Sequence, residues 1–501
     1  MNRMSSLLPE AIWKERLFSG AWECGPLPAV AVMEPATGET LGRVGMADAA
    51  SIADSCRRAG EAQPGWAALP YEARASVLRR AAQLAESHID EIRDWIMRES
   101  GSTRTKAAFE AELAIKTLHE SAALPSQSQG EVLPSTPGRF SLARRRPLGV
   151  IGVISPFNFP FYLAMRALAP ALALGNSVVL KPDPRTAVCG GVVIARLFEL
   201  AGLPRGALHV LPGGADAGAA LVADPRVAMI QFTGSSAAGR KVGETAGRHL
   251  KKVSLELGGK NALIVLDDAD LDVAVANAAW SAYLHQGQIC MAAGRVLVQR
   301  GIYPAFLDKL IAKARSLTVG DPARGDVALG PMIDAVQRDH VVGVIAAAKA
   351  AGAKVETGGG YRDLFFEPTV LSGVAPSNPA FHEEVFGPVA IVLPFDDDEE
   401  AVRLANDTEY GLSAAVISRD LGRALKLGEQ LCTGSLHIND QTVNDDVINP
   451  FGGSGASGNG ASIGGVANWE AFTQWQWLTL KGEAPAYSLS GQLEHDKEET
   501  A

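Results

Sequence analysis

Leu148-Gly-Val-Ile-Gly-Val-Ile154 runs directly into Ser155-Pro-Phe-Asn-Phe-Pro160. The first seven residues are apolar throughout, without polar alternation, which fits a strand buried on both faces. The next six hold two prolines and an asparagine, and Pro160 is suited to an early position of a helix. Residues 148–165 carry no charge and are just long enough to resemble a membrane span. Pro156, Asn158 and Pro160 in the middle argue instead for strand, turn, helix, and so for a soluble chain.

The same alternation repeats downstream. Short β-branched runs at 177–180, 207–211, 228–232 and 252–256 are separated by helical stretches near 160–174, 186–201, 215–223 and 236–248. This α/β pattern predicts a doubly wound parallel sheet. Ligands of such sheets sit beyond the carboxyl ends of the strands, where Asn158, Lys181, Gly234 and Glu256 fall. A second alternation, with strands 261–266, 294–299, 389–393 and 413–417 and helices 269–284, 302–316, 335–351 and 398–406, predicts another sheet that presents Cys290 on a loop.

Upstream, residues 49–122 show helical spacing of apolar residues, clearest over Tyr71–Glu86, Ile89–Arg98 and Thr105–Ala123. Three prolines in 124–138 mark a crossing loop, and Phe140–Arg146 reads as a basic strand. Phe472–Lys481, with Trp475 and Trp477, is apolar at alternate positions and needs a partner, for which another subunit's edge is the expectation. Residues 486–501 are polar and acidic and are expected to be disordered.

A chain of 501 residues, 47% apolar and 20% charged, is long enough for two or three domains of an ordinary globular enzyme. Net charge is −10, with no basic run to track phosphates, so nucleic-acid binding is not expected. Cys24, Cys56, Cys189, Cys290 and Cys432 are scattered and never paired as Cys-x-x-Cys, which argues against a disulfide framework or a zinc site. A reducing cytoplasm is expected, and no signal peptide, since Glu10, Lys14, Glu15 and Arg16 interrupt the apolar stretches.

The chemistry concentrates in three places. Cys290 closes Gln286-Gly-Gln-Ile-Cys290 and is the candidate nucleophile, since a thiolate adds readily to a carbonyl carbon and leaves readily later. Glu256 ends a β-run and precedes two glycines; it is the candidate base, unless Lys251 or Lys252 ties it into a salt bridge. The side-chain NH₂ of Asn158, with the backbone N–H of Cys290, can form an oxyanion hole, while a simple helix-capping role also fits Asn158. Gly234 and Ser235 open a helix after a strand and suit a pyrophosphate; Lys181 suits ribose hydroxyls, unless it is a free surface lysine. Gly453, Gly455 and Gly458 spell G-x-G-x-x-G, but without a strand–helix–strand unit the match is read as accidental. His285 lies too close in sequence to Cys290 to suggest a protease pair.

Together Ser155–Pro160, Lys181-Pro182, Phe232–Gly239, Leu255–Gly259, Gln286–Cys290, Glu384–Pro388 and Pro450–Gly453 resemble the NAD(P)-dependent aldehyde dehydrogenase superfamily, over about residues 28–482. The resemblance implies oxidation of an aldehyde through a thiohemiacetal and a thioester, with Cys290 as nucleophile, Glu256 as base and Asn158 as oxyanion donor. It implies a cofactor site built from Ile154, Ser155, Pro156, Phe157, Lys181, Asp183, Gly213, Gly234, Ser235, Leu257, Gly258, Glu384 and Phe386. It further implies a cofactor domain (1–123 and 147–257), a catalytic domain (258–436) and oligomerisation strands (124–146 and 470–485). The resemblance also implies that residues 437–469 return near the active site and that the chain forms a homodimer or homotetramer.

Within the family the chain is most similar to bacterial benzaldehyde dehydrogenases, which implies an aromatic aldehyde; hydroxylated or methoxylated benzaldehydes and aliphatic aldehydes remain open. A release of the thioester to CoA, or a catalytically silent relative, fits less well because Glu256 and Cys290 are both present. Phe159, Leu163, Arg166, Ile289 and Met291 are the candidate substrate pocket, with Arg166 either drawing in a charged ring substituent or pairing with a nearby acid. Many NAD-preferring members carry Glu where Pro184 stands. Asp183 beside it can repel a 2′-phosphate, so NAD is expected and NADP stays open.

Overall fold

The computed structural model describes residues 6–485 and Tyr487. The tail expected to be disordered, 486–501, lies outside the described residues apart from Tyr487. Among the described residues two seven-stranded sheets carry the fold. In the first, five parallel strands stand in the spatial order Lys252–Glu256, Val227–Thr233, Val150–Ile154, Ser177–Lys181, Leu208–Val210. From Val150–Ile154 the chain builds outward to one side, then returns and builds to the other. The strand order therefore reverses between Val150–Ile154 and Val227–Thr233, and a crevice opens at their carboxyl ends.

Both faces of this sheet are buried, which is why its strands read as unbroken apolar runs. Val150, Val179 and Ile230 point into a core shared with Ile52, Cys56 and Leu221. Ile151, Val153, Val178 and Leu180 point to the opposite face, into a core shared with Leu78, Leu118 and Leu168. The expected helix at 186–201 differs at its start. A wide π turn, Val188–Val192, precedes the α-helix Val193–Leu200. The buried carboxylate of Glu99 accepts the N–H groups of Val188 (2.9 Å) and Cys189 (2.6 Å) there.

The second sheet runs Lys354–Thr357, Thr369–Ser372, Val389–Phe395, Ala293–Gln299, Asn261–Val265, Ser413–Ile417, Ser435–Ile438, parallel at every pairing but the first. The strands Thr369–Ser372 and Ser435–Ile438 were not foreseen. Nor were Arg16–Ser19 and Trp22–Cys24, which extend the first sheet, or the hairpin of Leu27–Met33 with Thr40–Met46.

Thr473–Lys481 corrects an expectation. It finds its partner within the chain, antiparallel to Arg139–Pro147 from Thr473↔Pro147 to Lys481↔Arg139, and Gly130–Val132 flanks that strand on the other side. Its outer edge is unpaired among the described residues, with Trp475 and Trp477 exposed. No helix among the described residues is long and apolar enough to cross a membrane.

Candidate active site

A cleft of about 1010 Å³ opens at the crevice and is lined from both sheets, by Ile154–Asn158, Leu163, Lys181, Asp183, Gly234, Ser235, Glu256–Gly258, Cys290, Glu384 and Phe386 among others. The three candidate reacting groups and most of the expected cofactor residues thus meet in one space.

Cys290 stands on a strained loop. His285 and Gln286 adopt φ of 50° and 55°, a left-handed conformation costly for residues with a side chain. The surroundings hold it there. Gln286 Nε2 donates to the carbonyls of Gly101 (2.9 Å) and Pro331 (2.6 Å), and Gln288 Oε1 accepts Ile333 N–H (3.1 Å). Asn261 Nδ2 donates to the carbonyls of Cys290 and Ala292, both at 2.8 Å, while its Oδ1 accepts Ser413 N–H (2.9 Å). The loop is thereby pinned to the second sheet. Burial, with the negative charges of Glu384, Glu256 and Asp445, pushes the thiol up to about 12, against the pull of the Met291 N–H. The thiol therefore needs a base to react.

Asn158 is buried at the turn after Val150–Ile154, and its Nδ2 donates to Gln288 O at 2.9 Å. An amide NH₂ carries two hydrogens, so one remains for an oxygen in the cleft while the first fixes the side chain against the cysteine loop.

Glu256 is 4% exposed, and neither carboxylate oxygen has a hydrogen-bond partner among the described residues. Lys251 donates to Asp224 O and Lys252 to Glu470 O, which removes the salt-bridge alternative. Burial holds the carboxyl well above the usual range; Arg166 opposes this and Asp445 adds to it. The strand end is fixed by Gly234 N–H donating to Glu256 O (3.0 Å), Leu257 N–H to Ser457 O (2.9 Å) and Ser457 Oγ to Gly258 O (2.7 Å). Gly458 forms a bridge with Glu256. The Gly453–Gly458 segment therefore packs against the strand end that carries Glu256.

On the cofactor side, the helix Ser236–Arg248 begins at the cleft with Ser235 as its N-cap, so its unpaired N–H groups face a site for an anion. A side chain at Gly234 would sit 2.7 Å from the Phe232 ring, which reserves the close approach for glycine. Lys181 is 7% exposed, not the free surface lysine of the alternative, and its Nζ donates only to Pro182 O at 3.3 Å. Glu384 Oε1 accepts Gly259 N–H (3.0 Å), and burial pushes this carboxyl up to about 7. Phe386, at φ 48°, packs edge-on against Phe157 (5.9 Å) and is held by Gln337 Nε2 donating to its carbonyl (3.0 Å). Gly213 does not line the cleft, since it lies one strand further along the sheet, after Leu208–Val210. Asp183 lines the cleft as expected, with Arg185 gripping both its oxygens (2.8–2.9 Å) and bridging to Asp334 (2.8 Å).

Most of the expected substrate pocket is displaced. Leu163 lines the cleft, but Phe159, Arg166, Ile289 and Met291 do not. Phe159 is the N-cap of the Pro160–Ala173 helix, with φ −127° and ψ 63°, and its carbonyl accepts Leu163 N–H (2.9 Å). Its ring lies 4.1 Å under Lys106 Nζ and edge-on to His285. Ile289 and Met291 point into the first core. Arg166 is 2% exposed and paired with Asp445, so it meets an acid of its own chain instead of a substituent of the substrate. Arg185, Asn261 and Ser457 were not foreseen. A lone polar residue opening the apolar strand Asn261–Val265 was the available sign for Asn261.

A profile described as the aldehyde dehydrogenase family matches residues 24–478. A vanillin dehydrogenase from an Amycolatopsis species is 56% identical over 96% of this chain and 99% of its own. A benzaldehyde dehydrogenase [NAD(+)] of Pseudomonas putida is 48% identical over 95% of this chain and 98% of its own. Among solved structures, betaine aldehyde dehydrogenase from Staphylococcus aureus in complex with NAD+ aligns with a TM-score of 0.93 at 28% identity, covering 98% of this chain and 99% of that one. The chain belongs to the aldehyde dehydrogenase family.

Proposed function

We propose that this enzyme oxidises aromatic aldehydes of the benzaldehyde and vanillin type to carboxylic acids, with NAD as acceptor and water ending the turnover. The observation that carries the reading is a buried carboxylate with no partner, Glu256, in the same cleft as a thiol, Cys290, that needs a base. The vanillin and benzaldehyde dehydrogenases it is similar to support the substrate class.

The cleft fits the dinucleotide in its chemistry. The helix start at Gly234–Ser235 suits the pyrophosphate, while Lys181 and Glu384 suit ribose hydroxyls and Phe157 and Phe386 the nicotinamide end. When bound there, NAD supplies the hydride acceptor. Glu256 takes the Cys290 thiol proton as Sγ adds to the aldehyde carbon, and the free Asn158 N–H with the Cys290 backbone N–H receives the carbonyl oxygen. Loss of hydride from the thiohemiacetal leaves a thioester on Cys290. Glu256, having released its first proton to solvent, then takes one from water as the water oxygen bonds to the thioester carbon. The C–S bond breaks, the acid leaves and the Glu256 proton returns to the Cys290 sulfur.

In this reading residues 1–123 and 147–257 bind the cofactor and 258–436 carry the nucleophile. The sheet of 124–146 and 470–485 serves oligomerisation through the open edge of Thr473–Lys481, in a cytoplasmic homodimer or homotetramer.

Steady-state kinetics with NAD across benzaldehyde, vanillin and short and long aliphatic aldehydes test the substrate class. A higher kcat/KM for the aromatic pair is expected, and a clear aliphatic preference overturns it. Cys290→Ala is expected to lower turnover by about 10⁴-fold or more; retained activity sinks the mechanism.

A further inference from the structure

Two charged side chains that the chemistry above leaves unused are wholly enclosed in the first core. Lys106 and Glu110 are both 0% exposed, one turn apart on the helix Arg104–Ala123, with Nζ 2.5 Å from Oε2. A buried pair is costly unless its remaining protons and lone pairs are also satisfied. Here they are, and every partner belongs to one turn. Lys106 Nζ also donates to the backbone carbonyl of Asn158 at 2.5 Å and lies 4.1 Å from the centroid of the Phe159 ring. Glu110 Oε1 accepts the N–H groups of Phe161 (2.8 Å) and Tyr162 (3.2 Å). Those belong to the first turn of Pro160–Ala173, where N–H groups lack partners in the helix itself and the cap residue Phe159 offers no side-chain acceptor.

We infer that Lys106 and Glu110 are positioning residues: they grip residues 158–162 from inside and aim the Asn158 amide at the oxygen of the carbonyl held on Cys290. The Asn158 side chain is fixed on one side by Gln288 O and its backbone on the other by Lys106. Releasing the second hold lets the turn shift, and a displacement of about 1 Å at a reacting group can cost 10²-fold in rate. The inference rests on the reading of Asn158 as the oxyanion donor.

The test is the rate of the NADH burst with benzaldehyde, measured per titrated Cys290 thiol, in Lys106→Met, Asn158→Ala and the combination. Lys106→Met is expected to slow the burst roughly 10- to 100-fold with KM for NAD unchanged. In the Asn158→Ala background the same substitution is expected to add nothing, because the group it positions is gone. Lys106→Met strands the Glu110 charge, so Lys106→Met with Glu110→Gln provides a neutral pair carrying the same prediction if the single variant does not fold. A burst within twofold of the parent, or an equal loss in the Asn158→Ala background, overturns the inference and leaves a core ion pair. If Asn158→Ala alone leaves the burst intact, the oxyanion reading fails first and the inference with it.

Discussion

Glu110 and Glu256 are both buried carboxylates, in opposite circumstances. Glu110, 0% exposed, receives a lysine ammonium and two backbone N–H groups. Glu256, 4% exposed, receives nothing at either oxygen. Glu384 stands between them, with a single N–H from Gly259. Buried polar groups are ordinarily satisfied, and a satisfied network rigidifies its surroundings. The gradient from three donors to none therefore separates geometry from chemistry. Glu110 holds a turn, Glu384 is half committed, and Glu256 keeps its lone pairs for a proton.

The sharpest way to break this contrast is Glu256→Gln, which keeps the shape and removes the proposed base. Turnover is expected to fall by about 10²- to 10⁴-fold. The first NADH burst is slowed, because Cys290 loses the base for its proton, but hydrolysis is slowed further and acyl-enzyme accumulates. Quenched-flow detection of acyl-Cys290 checks this. An unchanged steady-state rate with no accumulation makes Glu256 a mere buried acid.

How far the sequence alone carried this contrast depends on where each partner lies. The parallel strands of the first sheet were legible because both faces are buried, so Val150–Ile154 and Ser177–Lys181 appear as unbroken apolar runs. Thr369–Ser372, Ser435–Ile438 and Arg16–Ser19 are four residues each and gain their identity only from the strands beside them. Cys290, Glu256 and Asn158 were legible because each sits in a short motif at a strand end or loop. Arg166 was legible in part: pairing with an acid was one of its two readings, but which acid was not readable, since Asp445 lies 279 positions away. Glu110 drew no attention at all: a glutamate on a helix reads as a solvated face until the turn it caps is packed against it.

Glu384 tests the middle of the gradient. With one donor and a carboxyl pushed up to about 7, it is charged only above that pH. If it binds ribose hydroxyls through that charge, KM for NAD is expected to rise as pH falls below about 7. Glu384→Gln is expected to raise KM roughly tenfold, the size of one hydrogen bond to a charged group, and to remove this pH dependence. Kinetics with varied NAD between pH 6 and 9 decide it; an unchanged KM shows that the carboxylate belongs only to Gly259.

The smallest effect is thermal. Burial raises the folded-state pKa of Glu256 above its unfolded value, so the folded chain keeps this proton where the unfolded chain has lost it. Below the unfolded pKa both states are protonated and the group costs nothing. Between the two pKa values the unfolded state binds fewer protons, and stability falls by about 1.4 kcal/mol for each pH unit. Glu256→Gln removes that slope, so its Tm relative to the parent is expected to climb with pH by roughly a degree or two per unit. Glu110 accepts from Lys106 and two backbone N–H groups, so Glu110→Ala strips all three of their partner and is expected to lower Tm. Scanning calorimetry of both variants from pH 5 to 9 compares them directly. A flat difference for Glu256→Gln places its carboxylate in contact with water, and with that the distinction between the two acids disappears.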